Sequence, residues 1–120
     1  LRLGEQYLIR AEARAQQGKL TGPDGAIADM NVIRNRAGLP AYSGAADQAS
    51  ALTAIAHERQ AELFTENDRW YDLKRTKTVD AVMSVVTPQK GGVWHSYQQL
   101  YPLSLSDLQY NPNLLQNPGY

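Results

Sequence analysis

Charged side chains crowd one segment of the sequence, His57 to Arg75, which also has the apolar spacing of a helix. Glu62 and Glu66 stand one helical turn apart, so their carboxyl groups could approach the separation used in glycoside hydrolysis. Glycosidases, however, place their two carboxylates on opposite sides of a substrate, usually from separate elements. The flanking Arg59 and Arg69 would keep both carboxyls ionised, which leaves no general acid. We therefore predict no catalytic residue and keep hydrolysis by this glutamate pair as an alternative.

The two histidines, His57 and His95, are the residues that would suggest a metal site. The helical zinc motif needs a second histidine four residues after the first, on the same face of the helix. In this sequence that position holds Ala61, and the chain has no cysteine. The ligand set of a zinc site is therefore incomplete, and we predict neither a metal site nor a cofactor.

Ion pairing explains the charged segment better than catalysis does. An apolar stripe with the helical period runs through it and comprises Leu52, Ile55, Ala56, Leu63, Trp70 and Leu73. Arg59 and Glu66 fall inside this stripe, where a charge is expensive to desolvate unless it is paired. We predict a structural ladder in which Arg59 and Arg69 bridge Glu62 and Glu66. Asp72 joins the ladder by pairing with Arg69 or Arg75.

A different kind of site is suggested by the glycine-rich segment that contains Trp94 and Tyr97. It lies outside any strong periodicity, and its two aromatic rings could stack on a sugar ring or on a peptide side chain. The alternative is that Trp94 anchors the loop to the helices and Tyr97 lines the extended segment that follows. We predict Trp94 and Tyr97 as ligand-binding residues. Trp70, in contrast, belongs to the helical stripe and is predicted to be structural.

The elements that must carry these residues are helices over most of the chain. We expect an amphipathic helix over residues 2–18, with Leu3 facing inward, and a second over residues 26–37 that buries Ile27. The Gly22–Gly25 turn separates them. Small residues at the expected crossing predict a tetratricopeptide-like helical hairpin. One such unit cannot bury its own apolar face, so it must pack against further helices.

The rest of the chain continues this pattern and then departs from it. We expect a third helix from about residue 48 to about residue 67, helical structure again over residues 69–75, and a short helix over residues 78–85. An irregular, extended C-terminal segment follows Pro88. Its tail is expected to lie against the helices through Leu114, Leu115 and Tyr120. The predicted fold class is therefore all-α.

Bulk properties exclude several classes of function. The chain carries 12 basic and 12 acidic residues, so it has no net field that would attract nucleic acid or an anionic membrane. It has no cysteine, which excludes disulfides. No apolar run approaches the ~20 residues needed to cross a bilayer, and no signal peptide is present. Because Leu1 begins directly in helical periodicity without a start methionine, we expect a fragment of a longer parent.

Three segments of the sequence resemble the SusD/RagB family and follow the order in which that family has them. ERQAELFTENDRWYDLKR is similar to the family block ER-x-x-E-x-x-x-E-x-x-R-W-x-D-L-x-R. LGEQYLIRAEARAQQGKL, followed by AIADMNVIRNRAGLP, resembles the helical pair that ends in N-x-I-R-x-R-A-G-L. LYPLSLSDLQYNPNLLQNPGY resembles the C-terminal segment. Together they identify residues 1–120 as the C-terminal helical part of such a protein.

The resemblance has two departures and several implications. Ser104 stands where the family usually has proline, and Asp107 where it usually has glutamate. Family members are surface lipoproteins of Bacteroidetes that capture nutrients for a TonB-dependent transporter. The resemblance therefore implies a non-catalytic protein of the outer-membrane surface, with a SusC-like transporter as partner and a lipid anchor in the missing N-terminal part. Its ligand would be a glycan or, as in RagB-type members, a peptide. No functional residue transfers to Trp94 by motif.

A protein-interaction scaffold is the other class of function that the sequence leaves open. The expected helical hairpin over residues 5–38 would present a groove of the kind that grips a protein partner. Such a groove would also serve for docking onto a transporter.

Overall fold

The computed structural model describes residues 2–120; Leu1, where we expected helical periodicity to begin, lies outside them. Every regular element in this described part is helical and none is a strand, which confirms the predicted all-α class. The chain divides into two compact units, Leu1–Arg69 and Trp70–Tyr120. Across residues 2–120, no helix combines the length and the apolar character that crossing a bilayer requires.

Within residues 2–69, the first unit contains three complete helices, α1 (Leu3–Gln16), α2 (Ala26–Arg36) and α3 (Gln48–Glu62). α1 packs against both α2 and α3, and α2 also contacts α3. Small side chains dominate the core between them, which consists of Ala11, Ala15, Ala26, Met30, Ala51 and Ile55. Because alanine has only a methyl group, the helix backbones can approach closely. The tetratricopeptide-like character of the α1–α2 pair stays a prediction.

The inward face of α1 differs from the predicted one at its first turn. Leu3 was expected to face inward, but 74% of its surface is exposed. The buried side of the helix is instead formed by Gly4, Leu8, Ala11 and Ala15. Leu3 lies one position away from this row, so helical geometry turns it outward. In α2, Ile27 is half-buried rather than buried.

A buried carboxylate joins α1 to α2. Asp29 of α2 is 3% exposed and accepts hydrogen bonds from Arg10 at 2.6 and 2.9 Å and from Arg14 at 2.7 Å. The bond to Asp29 raises the pKa of Arg10 above its ordinary value. Two guanidinium groups thus compensate one desolvated charge, which is the condition for burying a carboxylate.

The first turn of α3 is fixed by two side chains. The carboxylate of Asp47 accepts a hydrogen bond from the backbone N–H of Ser50 at 2.9 Å, and this bond lowers the pKa of Asp47. Gln48 donates from its amide to the backbone oxygens of Ala15 and Gln16, at 3.0 and 3.2 Å. The start of α3 is therefore bound to the last carbonyl groups of α1, of which that of Ala15 also accepts from the N–H of Gly18.

The third helix ends at Glu62, earlier than the predicted end near residue 67. The reason is local: Thr65 and Asn67 have φ angles of 70° and 65°, in the left-handed region that interrupts an α-helix. The chain between α3 and the next helix is a turn. Glu66 therefore lies outside the helix on which the predicted apolar stripe would have placed it.

Three α-helices and one 3₁₀ turn follow: α4 (Asp68–Arg75), which spans the division between the units, α5 (Val79–Gln89), the 3₁₀ turn Ser96–Gln99 and α6 (Leu105–Tyr110). α5 is longer than the predicted helix over residues 78–85 and includes Pro88. Pro88 has no N–H to donate to the carbonyl of residue 84, and the helix ends one residue later, at Gln89.

The C-terminal tail makes contacts that the sequence does not predict. Leu115, expected to anchor it on the helices, is 83% exposed. That expectation is wrong for Leu115, whereas Leu114 is half-buried. Side chains of residues 116–120 instead hydrogen-bond to the extended segment 100–103.

Candidate functional site

The aromatic loop, residues 91–99, begins where the chain leaves α5. The backbone N–H groups of Gly91 and Gly92 donate to the carbonyl oxygens of Pro88 and Thr87, at 3.0 and 3.1 Å. Gly91 has a φ angle of 78°, which glycine adopts without the steric penalty of a side chain. This glycine pair reverses the chain and directs the aromatic residues back past the helix.

A single carboxylate anchors the two ends of the aromatic loop. Oδ1 of Asp80 accepts a hydrogen bond from the indole N–H of Trp94 at 2.8 Å, and Oδ2 accepts one from the side-chain amide of Gln99 at 2.9 Å. Asp80 lies in the first turn of α5, where a negative charge interacts favourably with the helix dipole. The loop between Trp94 and Gln99 is therefore attached to a rigid element at both of its ends.

Trp94 also belongs to a cluster of aromatic rings. Its ring meets that of Trp70 edge-on, with centroids 6.3 Å apart and an interplanar angle of 78°. Trp70 in turn lies 6.3 Å from the ring of Tyr101, and the ammonium group of Lys74 lies 5.8 Å from the Trp70 ring centroid. Such edge-to-face and cation–π contacts fix ring orientation as well as burying apolar surface.

Tyr97 is held by different partners from Trp94. Its ring stacks on that of His95, with centroids 5.4 Å apart and planes 5° from parallel. The ring of Tyr120 meets it edge-on at 5.1 Å, and Gly119 packs so closely against it that a Cβ atom there would overlap the ring. Tyr97 nevertheless keeps 37% of its surface exposed.

The predicted pair, Trp94 and Tyr97, thus lies in one anchored loop with separate supports. Trp94 is half-buried and its N–H is already bound, so the part left for a ligand is ring surface. The neighbouring Val93 is 70% exposed. The loop therefore offers apolar carbon and a phenol group to solvent, as a sugar ring or a peptide side chain would require. The ligand-binding role of Trp94 and Tyr97 stays a prediction.

The two glutamates of the predicted ladder pair with arginines of other elements. Glu62 pairs with Arg36 of α2 at 2.5 Å and with Arg2 at 3.3 Å, while Glu66 pairs with Arg2 at 2.8 Å. These contacts connect the end of α3 to the start of α1 and the end of α2. Bridging of the two glutamates by Arg59 and Arg69 stays a prediction. With arginines bound to both carboxylates, the arrangement is that of an ion-pair network.

Other charged residues of this block are also buried or paired. Asp72 pairs with Arg75 at 3.1 Å, and Arg59 is buried, with 8% of its surface exposed. The neighbouring Glu58 is buried too and pairs with Arg34, which also donates to the backbone oxygen of Pro40 at 2.9 Å. The family-like block therefore contributes buried charges to the packing of the helices.

The two histidines lie in different elements of the chain. His57 is exposed on α3, and His95 stacks on Tyr97. No group of three or more histidine, cysteine, aspartate or glutamate side chains is placed to hold a metal ion within residues 2–120.

Three residues that support the aromatic loop were not predicted from the sequence: Asp80, Gln99 and Gly119. An acidic residue in the first turn of a helix is common, so nothing distinguished Asp80 as a partner for a tryptophan. Gly119 could have been found from its position in the N-P-G-Y ending, because a glycine after proline often marks a left-handed turn. Its φ angle is 97°.

Comparison with known proteins gives one consistent result. A family model described as the SusD family matches residues 1–120. The chain is 32% identical over 124 residues to the starch-binding protein SusD of Bacteroides thetaiotaomicron, a match that covers 99% of this chain and 21% of that protein. It is 33% identical over 130 residues to the SusD-like protein P2 of Formosa agariphila, covering 100% of this chain and 25% of that one.

Solved structures agree with these matches. A SusD superfamily protein from Bacteroides vulgatus superposes with a TM-score of 0.79 at 26% identity, covering 100% of this chain and 27% of the other. One from Parabacteroides distasonis superposes with a TM-score of 0.74 at 29% identity, covering 98% and 26%. The chain therefore spans about a quarter of the length of the relatives it matches.

Proposed function

The chain belongs to the SusD family, and from this premise we propose that the full-length protein captures glycans at the cell surface without catalysing a reaction on them. The observation that carries the proposal is the match over 99% of this chain to a protein described as starch-binding. Captured glycan would pass to a SusC-like TonB-dependent transporter in the outer membrane. A lipid anchor outside the described residues would hold the protein at that surface.

Within this part of the protein, the aromatic loop is the surface that we propose contacts the glycan. The carbon-bound face of a pyranose ring is apolar and packs on aromatic side chains, while its hydroxyl groups need hydrogen-bonding partners. The exposed part of Tyr97 supplies a ring and a phenol group, and Trp94 supplies indole surface. Asp80 and the tail keep both residues in place before a ligand arrives, which lowers the entropic cost of binding.

Binding should be measured with the full-length protein and maltoheptaose, a short starch oligosaccharide. Replacing Trp94 by alanine should weaken binding about tenfold, since one lost aromatic contact is worth ~1.4 kcal/mol. The matched control is Tyr110→Ala, because Tyr110 is 89% exposed and lies outside the loop. Equal affinities of the two variants would remove the loop from the proposal. Release of reducing ends from maltoheptaose by the purified protein would contradict a non-catalytic role.

Peptide capture is the alternative ligand class, as in RagB-type members, and the same loop would serve it. Peptide and glycan are separated by competition: a peptide mixture that displaces maltoheptaose would favour the alternative. Calorimetry with each ligand alone completes the comparison.

The close packing of the first unit favours a second candidate function, a helical scaffold for a protein partner. Exposed apolar side chains remain on its helices, with Ile9 of α1 45% exposed and Val32 of α2 43% exposed. If this unit grips the transporter, Ile9→Ser and Val32→Ser should reduce co-purification of the two proteins. Unchanged co-purification would remove the scaffold candidate and leave glycan capture untouched.

A further inference from the structure

The segment 100–103 is extended and has no strand beside it in the described part of the chain. Extended backbone exposes N–H and C=O groups that a sheet would normally pair. Here the N–H of Leu100 donates to the carbonyl of Tyr97 at 3.1 Å, while side chains of residues 116–120 bind backbone groups of Leu100, Tyr101 and Leu103. We call residues 116–120 the C-terminal clasp.

Gln116 forms the centre of the clasp. Its amide oxygen accepts a hydrogen bond from the backbone N–H of Leu103 at 2.8 Å, and its amide N–H donates to the carbonyl of the same residue at 3.1 Å. A primary amide has the same donor and acceptor pair as a peptide group, so one side chain reproduces the contact of a neighbouring strand. The oxygen of Gln116 also accepts from the N–H of Asn117 at 2.9 Å, which fixes the amide plane.

Two further carbonyl groups of the extended segment accept hydrogen bonds from clasp side chains in the same way. The side-chain amide of Asn117 donates to the carbonyl of Tyr101 at 2.6 Å. The hydroxyl of Tyr120 donates to the carbonyl of Leu100 at 2.8 Å. Three side chains of the clasp thus hold three residues of a segment that has no other regular structure.

The clasp also reaches the aromatic loop directly. Tyr120 meets the ring of Tyr97 edge-on, and Gly119 lies where a Cβ atom would overlap that ring. Gly119 has a φ angle of 97°, a conformation that side-chain-bearing residues rarely adopt. Position 119 therefore requires glycine for two reasons: the backbone angle is unfavourable for other residues, and the ring of Tyr97 occupies the space of a Cβ atom.

We infer that the C-terminal clasp is a positioning element for ligand binding: it holds the Leu100–Leu103 segment and the ring of Tyr97, so that the aromatic loop is ordered before the glycan binds. Asp80 supports the loop from α5 through Trp94 and Gln99, and the clasp supports Tyr97, which lies between them. Residues 116–120 act through Tyr97 and need not touch the ligand. The inference rests on the proposed function of the loop.

The experiment uses the full-length protein with Gln116→Ala and Gly119→Ala. Both variants should speed hydrogen–deuterium exchange about tenfold in peptides covering residues 93–103, including the amide of Leu103. Their affinity for maltoheptaose should fall about fivefold while the midpoint of thermal unfolding stays unchanged, which a merely structural residue would not produce. The control is Leu115→Ala, since this neighbouring residue is 83% exposed and should change neither measurement.

A conservative variant tests the assignment of the amide group. Gln116→Glu keeps the acceptor for the N–H of Leu103 but loses the donor to its carbonyl, so exchange and affinity should fall between wild type and Gln116→Ala. Exchange that stays at the wild-type rate in both Gln116→Ala and Gly119→Ala would overturn the clasp. Faster exchange with wild-type affinity would overturn its positioning function.

The test of the clasp can also be distinguished from a failure of the proposed glycan contact. If wild-type protein binds maltoheptaose but Trp94→Ala does not weaken binding, the loop is not the glycan contact. Hydrogen exchange in the clasp variants then still decides whether residues 116–120 order the loop.

Discussion

Gly4 of α1 lies directly beneath the carboxylate of Glu62, the last residue of α3. A Cβ atom at Gly4 would come within 2.6 Å of Oε1 of Glu62 and 3.3 Å of Nη1 of Arg36. The absence of a side chain at this buried position therefore makes room for an ion pair that crosses over the first turn of α1. Helix propensity alone would favour alanine there by about 1 kcal/mol.

The first prediction is that Gly4→Ala destabilises the protein despite that propensity, because Glu62 must move and loosen its pairs with Arg36 and Arg2. In a Glu62→Ala background the same substitution should stabilise, since the obstacle is gone. The coupling between the two sites should be about 1–2 kcal/mol, from urea unfolding of the four proteins of the cycle. Additive effects would show that Glu62 does not depend on the glycine.

The second prediction concerns the buried carboxylate between α1 and α2. Asp29→Asn removes the charge that compensates Arg10 and Arg14, and should cost about 3 kcal/mol of unfolding free energy. Because the side chain of Arg10 is half-exposed, water screens its charge, and the loss of unfolding free energy should lie near the lower end of the range for breaking a buried ion pair. The matched control is Asp24→Asn, whose side chain is 94% exposed and pairs weakly with Arg14 at 3.4 Å. If Asp24→Asn lowered the unfolding free energy as much as Asp29→Asn, the effect would come from the change in net charge and not from the burial of Asp29.

How far the sequence predicts this structure depends on how local the cause is. α1, α2 and the start of α3 follow from apolar period and capping, which act within a few residues. The early end of α3 did not, because the left-handed angles at Thr65 and Asn67 compete with a helical pattern that continues through them. For the same reason, Glu66 lies outside the predicted helix and pairs with Arg2, a residue that is distant in the sequence.

In the candidate site, too, the local features could be predicted and the distant contacts could not. Trp94 and Tyr97 were predicted as ligand-binding residues because aromatic residues beside glycines in a non-periodic segment can be recognised without a structure. Their supports were not. Asp80 and Gly119 become partners of the loop only when the chain is folded, and the side-chain hydrogen bonds that hold the extended segment leave no periodic trace in the sequence.

The third prediction is a pH dependence at the start of α3. The hydrogen bond from Ser50 lowers the pKa of Asp47 below its ordinary value of 3.8, so its stabilisation is complete above that pH and is lost as the pH falls through the lowered pKa. Asp47→Asn keeps an acceptor for the Ser50 N–H at every pH. Unfolding free energies of the two proteins should therefore keep a constant difference above pH 3.8 and converge only as the pH falls through the lowered pKa of Asp47. A difference that is constant from about pH 7 to pH 2.5 would exclude this titration.

The fourth prediction separates the two carboxylate oxygens of Asp80. Asp80→Asn replaces the carboxylate by one oxygen and one NH₂ group, so Trp94 and Gln99 lose a charged acceptor and at most one of them keeps its present donor–acceptor orientation. The loss should cost about 1.5–3 kcal/mol locally, the usual value for a hydrogen bond to a charged group. It should appear as a shifted tryptophan emission and faster hydrogen exchange in residues 93–99.

The control for Asp80 is Asp107→Asn in α6, another acidic residue in the first turn of a helix. It removes a comparable charge but touches no residue of the aromatic loop. If Asp107→Asn shifted tryptophan emission as much as Asp80→Asn does, the change would reflect helix-end charge in general. A shift confined to Asp80→Asn would instead identify the hydrogen bonds of one carboxylate as the connection between α5 and the aromatic loop, because charge and helix position are matched in the two variants.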